Sequence, residues 1–233
     1  MTAIQGESLP TPGSTERTVI KRLAEKTVED RRVGYDILDA GFVAHVSVAD
    51  EHGQPYVVPV GYARDGDEVL FHGSTASRLF RGLASGQPTC LTVTLLDGMV
   101  LARSTFESSM QYRGVMVLGP CRVLEGADKD RALEVITEHL LPGRWSEARH
   151  PSKKELAATL VLALSLHEMS VKVSAGPPED EDDDISRPIW AGVVPLIETF
   201  GAPVSAPDLV EPFPVPDYVS RWRRPSPPYE PGQ

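Results

Sequence analysis

The sequence predicts a small antiparallel β-barrel with helices packed around it, and three observations carry that reading. Residues 42–49, 55–63 and 68–72 are strand-like runs joined only by the short turns Asp50-Glu51-His52-Gly53 and Asp65-Gly66-Asp67, which makes a meander and not a βαβ unit. Two longer runs come next, 89–97 (resuming after Gly98 as 99–102) and 112–125. Both carry apolar residues on both faces in places, as in a barrel filled inside and covered outside. Met169, Val171 and Val173 then alternate with Ser170, Lys172 and Ser174, a final barrel strand with one polar face.

The helices are set by their ends. Thr27-Val28-Glu29-Asp30 has the capping-box spacing, with Asp where Glu is usual, and opens a helix that stops at Gly41. Ser74 or Thr75 is the expected N-cap of a helix over 77–83, and 128–141 reads as an amphipathic helix ended by Pro142-Gly143. Ser152-Lys153-Lys154-Glu155 is a second capping box, and the apolar run 156–166 behind it reads as a buried helix too short to span a membrane. The acidic run 179–184 reads as a solvated loop. The expected organisation is an N-terminal arm over 1–26, a barrel domain over 27–200 and a proline-rich tail over 201–233.

Composition bounds the function. The chain has 233 residues, 41% of them hydrophobic, enough for one good core. A net charge of -10 argues against nucleic acid or an anionic membrane as the main partner, though it leaves room for a local basic pocket. Cys90 and Cys121 lie in apolar runs without metal-ligand or disulfide spacing, and no leader or membrane-length apolar run stands out, so a cytoplasmic protein is expected. No metal-ligand pattern is present; His45, His52, His139, His150 and His167 read as surface or structural histidines, although a single axial haem histidine has no spacing signature. There is no nucleophile elbow and no GxGxxG fingerprint, which sets aside a hydrolase triad and a Rossmann site.

The stretch Val69-Leu70-Phe71-His72-Gly73-Ser74-Thr75-Ala76-Ser77-Arg78 stands out. It reads as a strand delivering the backbone into a helix start that carries hydroxyls and a guanidinium, a combination suited to phosphate. A capped helix with a surface arginine is the plainer reading of the same residues.

Taken with Val57-Val58-Pro59-Val60, with residues 110–119 around Gln111-Tyr112-Arg113, with Ser170-Val171-Lys172-Val173 and with Trp190-Ala191-Gly192-Val193-Val194-Pro195-Leu196, that stretch resembles the pyridoxamine 5′-phosphate oxidase-like superfamily, the FMN-binding split barrels. Within it, His72 after the third strand is similar to the flavin-nucleotide-binding or nitroimidazole-resistance-like branch. The resemblance implies a split antiparallel β-barrel homodimer with FMN at its interface. Pro59 and Val60 would lie along the isoalloxazine; His72, Gly73 and Ser74 would line the ribityl–phosphate path; Ser77 and Arg78 would hold the phosphate. Gln111, Tyr112 and Arg113 would reach the flavin at the dimer boundary, and Trp190 would come from the other subunit.

Leu79 stands where the oxidases carry a lysine, and their C-terminal substrate-binding cations have no counterpart after Trp190, which argues against vitamin B6 oxidase activity. The expectation is therefore an FMN-dependent oxidoreductase acting on a small organic substrate, with His72 facing it. The rival readings are a flavin- or haem-binding module without turnover and a barrel that only dimerises.

Overall fold

The computed structural model describes residues 9–209 and 213–223, and every structural statement below concerns those residues. Its strands are β1 (Val43–Ala49), β2 (Pro55–Asp65), β3 (Glu68–Ser74), β4 (Pro88–Leu101), β5 (Ser109–Val123), β6 (Thr159–Ser165), β7 (Glu168–Ser174) and β8 (Gly192–Pro195). The α-helices are α1 (Arg31–Ala40), α2 (Arg78–Ala84), α3 (Gly126–Leu140), α4 (Arg144–Glu147), α5 (Lys153–Ala157), α6 (Asp182–Ile185) and α7 (Asp217–Ser220).

The sheet runs in the order β7-β5-β6-β3-β2-β1-β4-β8, and a further β4–β5 pairing closes the six strands between them into a ring. All pairings are antiparallel. β5 is the hinge of the architecture: β7 pairs with it from Tyr112 to Leu118, and β6 takes over from Cys121 to Val123. The ring is incomplete at one place. β2 and β3 pair only from Tyr62↔Phe71 to Asp65↔Glu68. Before Tyr62, β2 is paired with β1 alone, and after Phe71, β3 is paired with β6 alone. The barrel is split there, and each strand turns an edge without a ladder partner toward the gap.

Two apolar clusters hold this arrangement. Ile37, Leu38, Tyr62, Phe71, Leu164 and Met169 belong to the inner one. Ala63, Leu70, Leu133, Ile136, Val161 and Ala163 form much of the outer one, where α3 covers β2, β3 and β6. α1 is bound to the barrel at its C-terminal end, where Tyr62 Oη donates to Leu38 O at 2.6 Å. Gly41 permits that contact, since a Cβ there would lie 2.6 Å from Tyr62 Oη and 2.7 Å from Val93 Cγ1.

Several expectations change. α1 starts after Asp30, whose carboxylate accepts from Arg32 N, while Thr27 makes a β-bridge to Lys172; the pull of the sheet edge overrides the capping-box spacing. The N-cap of α2 is Ser77, not Ser74 or Thr75. β4 runs unbroken through Gly98 with an irregularity between Leu96 and Gly98. The largest change is at 156–166. The capping box at Ser152 and Glu155 forms, but α5 ends at Ala157 and the chain continues as β6. Leu162 and Leu164 enter the inner cluster, Val161 and Ala163 the outer one. A strand buried on both faces is apolar throughout, so its pattern matches a buried helix equally well. Extended chain is required here because β6 must reach from β3 to β5 to close the ring.

The acidic run includes α6, and beside it the Asp180 carboxylate, its side chain 3% exposed, takes Arg103 at 2.8 Å. Both cysteines are free, and burial pushes the Cys121 thiol up to about 12, leaving it inert. Residues 201–209 form no regular element, and beyond them Trp222 Nε1 donates to Pro142 O at 3.2 Å, fixing the α7 end against the α3–α4 turn. No helix among the described residues is long and apolar enough to cross a membrane.

Candidate functional site

The split places the conspicuous stretch of the sequence. Alternation along β3 turns Phe71 and Gly73 inward and His72 outward beside the gap. Gly73 must lack a side chain because a Cβ there would come within 2.3 Å of the Phe80 ring. The turn after β3 is pinned by Thr75 N donating to Ala158 O at 3.0 Å and Ala76 N donating to Ser74 Oγ at 3.1 Å. Ser77 Oγ then accepts from Phe80 N at 3.5 Å. α2 spans only seven residues, so charge at its start comes mainly from side chains.

The nearest such charge is Arg78. Its guanidinium lies over the Tyr56 ring, 4.2 Å from the centroid. Tyr56 in turn donates to Asp50 Oδ2 at 3.3 Å, and Asp50 Oδ1 accepts from His52 N and Gln54 N at 2.9 Å each. The Gln54 amide foremost, with the His52 amide, the Tyr56 hydroxyl and the nearby Arg78 charge, holds the Asp50 carboxyl below the usual carboxylate range against some desolvation. Between this β1–β2 turn and α2 lies a cleft of about 680 Å³, with Asp50, His52, Tyr56, Arg78, Arg81 and Gln87 among its walls. Neither Arg78 nor Arg81 makes an ion pair among the described residues, whereas Arg64, Arg113 and Arg149 are each taken by a carboxylate.

The expected site residues fall into two groups. Pro59, Val60, His72, Gly73, Ser74, Ser77 and Arg78 all border the split: Pro59 is exposed on the part of β2 that pairs with β1 but not with β3, and Val60 packs back against the inner cluster. Gln111, Tyr112 and Arg113 lie on the N-terminal half of β5, away from the gap. Gln111 Nε2 donates to Gly176 O at 2.8 Å, Tyr112 sits between Leu96 and Ser174, and Arg113 is buried with both arms on Asp97 at 2.9 and 2.8 Å. Trp190 stands ahead of β8, 65% exposed, with its ring against Gly192. Sequence reasoning missed Asp50, Tyr56, Arg81 and Gln87. The signal for Arg81 was present, three residues after Arg78 and so on the same face of the helix. Among the described residues no group of three or more His, Cys, Asp or Glu could hold a metal ion.

His72 is exposed at its edge, yet desolvation by the surrounding protein pushes its imidazolium below the ordinary 6.5. The ring is therefore neutral at pH 7 and able to accept a proton or donate a lone pair. Because the folded value is the lower one, the unfolded chain protonates first as pH falls. The contribution to stability is present above about 6.5 and lost below it. An NMR titration should place His72 below an unstructured histidine; a value at or above it contradicts this environment.

Known proteins similar to this chain point the same way. The family model for pyridoxamine 5′-phosphate oxidase matches residues 30–173. No curated protein matches the chain. Among solved structures, the FAD and haem binding protein from Mycobacterium smegmatis is 43% identical, with a TM-score of 0.80 over 83% of this chain and 95% of that one. The flavocytochrome Anf3 from Azotobacter vinelandii is 38% identical, with a TM-score of 0.84 over 90% of this chain and 97% of that one. A Bacteroides thetaiotaomicron protein assigned to 5-nitroimidazole antibiotic resistance shares the fold at 23% identity and a TM-score of 0.53, over 63% of this chain and 86% of that one.

Proposed function

The chain belongs to the pyridoxamine 5′-phosphate oxidase family, and from that membership we propose that it is a flavoprotein oxidoreductase, holding its flavin along the β2–β3 split and serving a small organic substrate. The observation that carries the reading is the split itself. An unpaired strand edge, with backbone groups free to meet the polar rim of a flat ring, ends beside the exposed Arg78 guanidinium, which lies over Tyr56, makes no ion pair among the described residues and suits a phosphate. Ser77 suits the same phosphate, because its oxygen accepts within the cap and its hydroxyl proton is left to donate. When bound, the flavin supplies the electron transfer; the protein supplies position, dryness and charge. His72, neutral and outward at the gap, is the residue placed to meet substrate.

The FMN expected from the sequence rests on a terminal phosphate at Ser77 and Arg78. The 43% identical relative is an FAD and haem binding protein, which supports FAD here and adds haem as a second group. His45 and His72 are both exposed on outward strand faces with no side-chain hydrogen bond among the described residues, so each has a ring nitrogen free for iron. The second reading, an electron carrier or sensor without turnover, draws on the flavocytochrome relative. Pyridoxamine phosphate itself is disfavoured as substrate, since Leu79 is buried in the core and residues 192–195 form β8 in place of a cationic clamp.

The protein acts as a homodimer with composite sites. Met99, Met110 and Val194 face one another across β4, β5 and β8 and are 47–51% exposed, an apolar patch of the kind that marks an interface. Gln111, Tyr112 and Trp190, remote from the split in their own chain, then serve the partner's site. Sedimentation should give twice the 25.4 kDa chain mass. Protein purified or reconstituted with FAD or FMN should show the two visible bands of bound flavin, and an added intense haem band if haem is present. A colourless protein after incubation with both flavins contradicts the reading.

A further inference from the structure

We propose that the cleft between the β1–β2 turn and α2 is a subsite for the adenylate half of a flavin dinucleotide, with Arg81 as a second phosphate-binding residue next to Arg78. This rests on the flavoprotein reading above. Four features of the cleft carry it.

The first is place and size. Arg78 stands in its wall beside Tyr56, Val58 and Ser77 from the edges of the split, so a chain of phosphates held at Arg78 continues directly into the cleft. Its volume of about 680 Å³ is that of a pocket for a whole small ligand and far exceeds the space one terminal phosphate needs.

The second is charge. Arg78 and Arg81 are three residues apart on one helix face, roughly 5–6 Å between side-chain origins, within reach of one diphosphate. In a chain of net charge -10, where many arginines are held by carboxylates, these two exposed guanidiniums make no ion pair among the described residues. A site for a monophosphate needs one of them. Two adjacent ones suit a pyrophosphate, which each can grip through paired N–H groups.

The third is the floor. Gly82 sits in the middle of α2, a position where glycine weakens a helix relative to alanine. A Cβ there would lie 2.7 Å from Gln87 Oε1, so glycine leaves the Gln87 amide seated in the cleft. An amide that both donates and accepts matches the edge of a nucleobase.

The fourth is the rim. Asp50, ionised and fixed by the turn, presents acceptor oxygens of the kind that bind ribose hydroxyls, while Val48, Val58 and Leu79 give the remaining wall an apolar character.

The test is a set of titrations of FAD, FMN and ADP into the full-length wild type and into Arg81→Ala, Gln87→Ala and Arg78→Ala, with circular dichroism to confirm folding. Arg81→Ala should weaken FAD by about tenfold or more and leave FMN within about twofold; Gln87→Ala should do the same to a lesser degree. Arg78→Ala should weaken both flavins. ADP, whose diphosphate takes both arginines, should displace the dinucleotide and also compete with FMN at Arg78. Wild-type protein that binds flavin while Arg81→Ala leaves FAD unchanged, or weakens FMN equally, overturns the subsite alone. Wild-type protein that binds neither flavin overturns the subsite together with the flavoprotein reading.

Discussion

Replacement of Arg78 by alanine is expected to weaken flavin binding ten- to a hundredfold while changing the unfolding free energy by about 1 kcal/mol or less. The separation comes from where the side chain is. It is exposed, and it meets the Tyr56 face at 4.2 Å, a cation–π contact worth about 0.5–1 kcal/mol at such a site. A charge-assisted bond to phosphate is worth roughly 1.5–3 kcal/mol, and that term exists only with ligand bound. Flavin titration and urea unfolding of the same preparation measure both sides. Normal flavin affinity in Arg78→Ala would reduce the residue to a helix-surface arginine and remove the phosphate end of the site.

Asp97→Ala should have the opposite signature, a loss of about 3–5 kcal/mol of stability from a change that leaves the split untouched. Asp97 and Arg113 are 9% and 8% exposed and meet through two hydrogen bonds at 2.8 and 2.9 Å between β4 and β5. Removing the carboxylate takes two hydrogen bonds and a neighbouring negative charge from a buried guanidinium, and that desolvation dominates the cost. The double variant Asp97→Ala with Arg113→Met should recover much of the loss, because a methionine carries no charge to strand. A single-variant cost under about 1 kcal/mol would mean that water reaches the pair. The same pair bears on the candidate site from a distance: Leu196 N donates to Asp97 O at 2.9 Å, so it anchors the end of the segment that carries Trp190.

The particular elements show how far local sequence reaches. The turns at Asp50–Gly53 and Asp65–Asp67 are decided by neighbours in sequence, and the meander they join is present in the structure with its strands within two residues of expectation. The same holds for the capping box at Ser152, which forms as read. The strand behind that box was not legible, because whether Leu160 to Leu164 coil or extend depends on β3 and β5, far away in sequence, needing a strand between them. Thr27 was misread for a related reason: an unpaired edge of β7 captured it before a helix could start there. In the site, Ser77 and Arg78 were legible as a hydroxyl and a cation at a helix start. Tyr56 and Asp50 were not, since nothing in the spacing of residues 50 and 56 from 78 reveals that the β1–β2 turn lies against α2. The split itself was visible only through resemblance, because a missing ladder is a property of two strands at once.

Hydrogen exchange of the protein with and without saturating FAD tests the central claim most directly. Residues 55–61 of β2 and 72–79 through the start of α2 have backbone groups that face the split and lack strand partners on that side. The account predicts that flavin slows exchange in both segments together, with residues 188–191 around Trp190 slowed in the same titration because the partner chain completes the site. Protection confined to other surfaces, such as the aromatic cluster of Phe42, Phe200 and Trp222, with the two edges of the split unchanged, would contradict it.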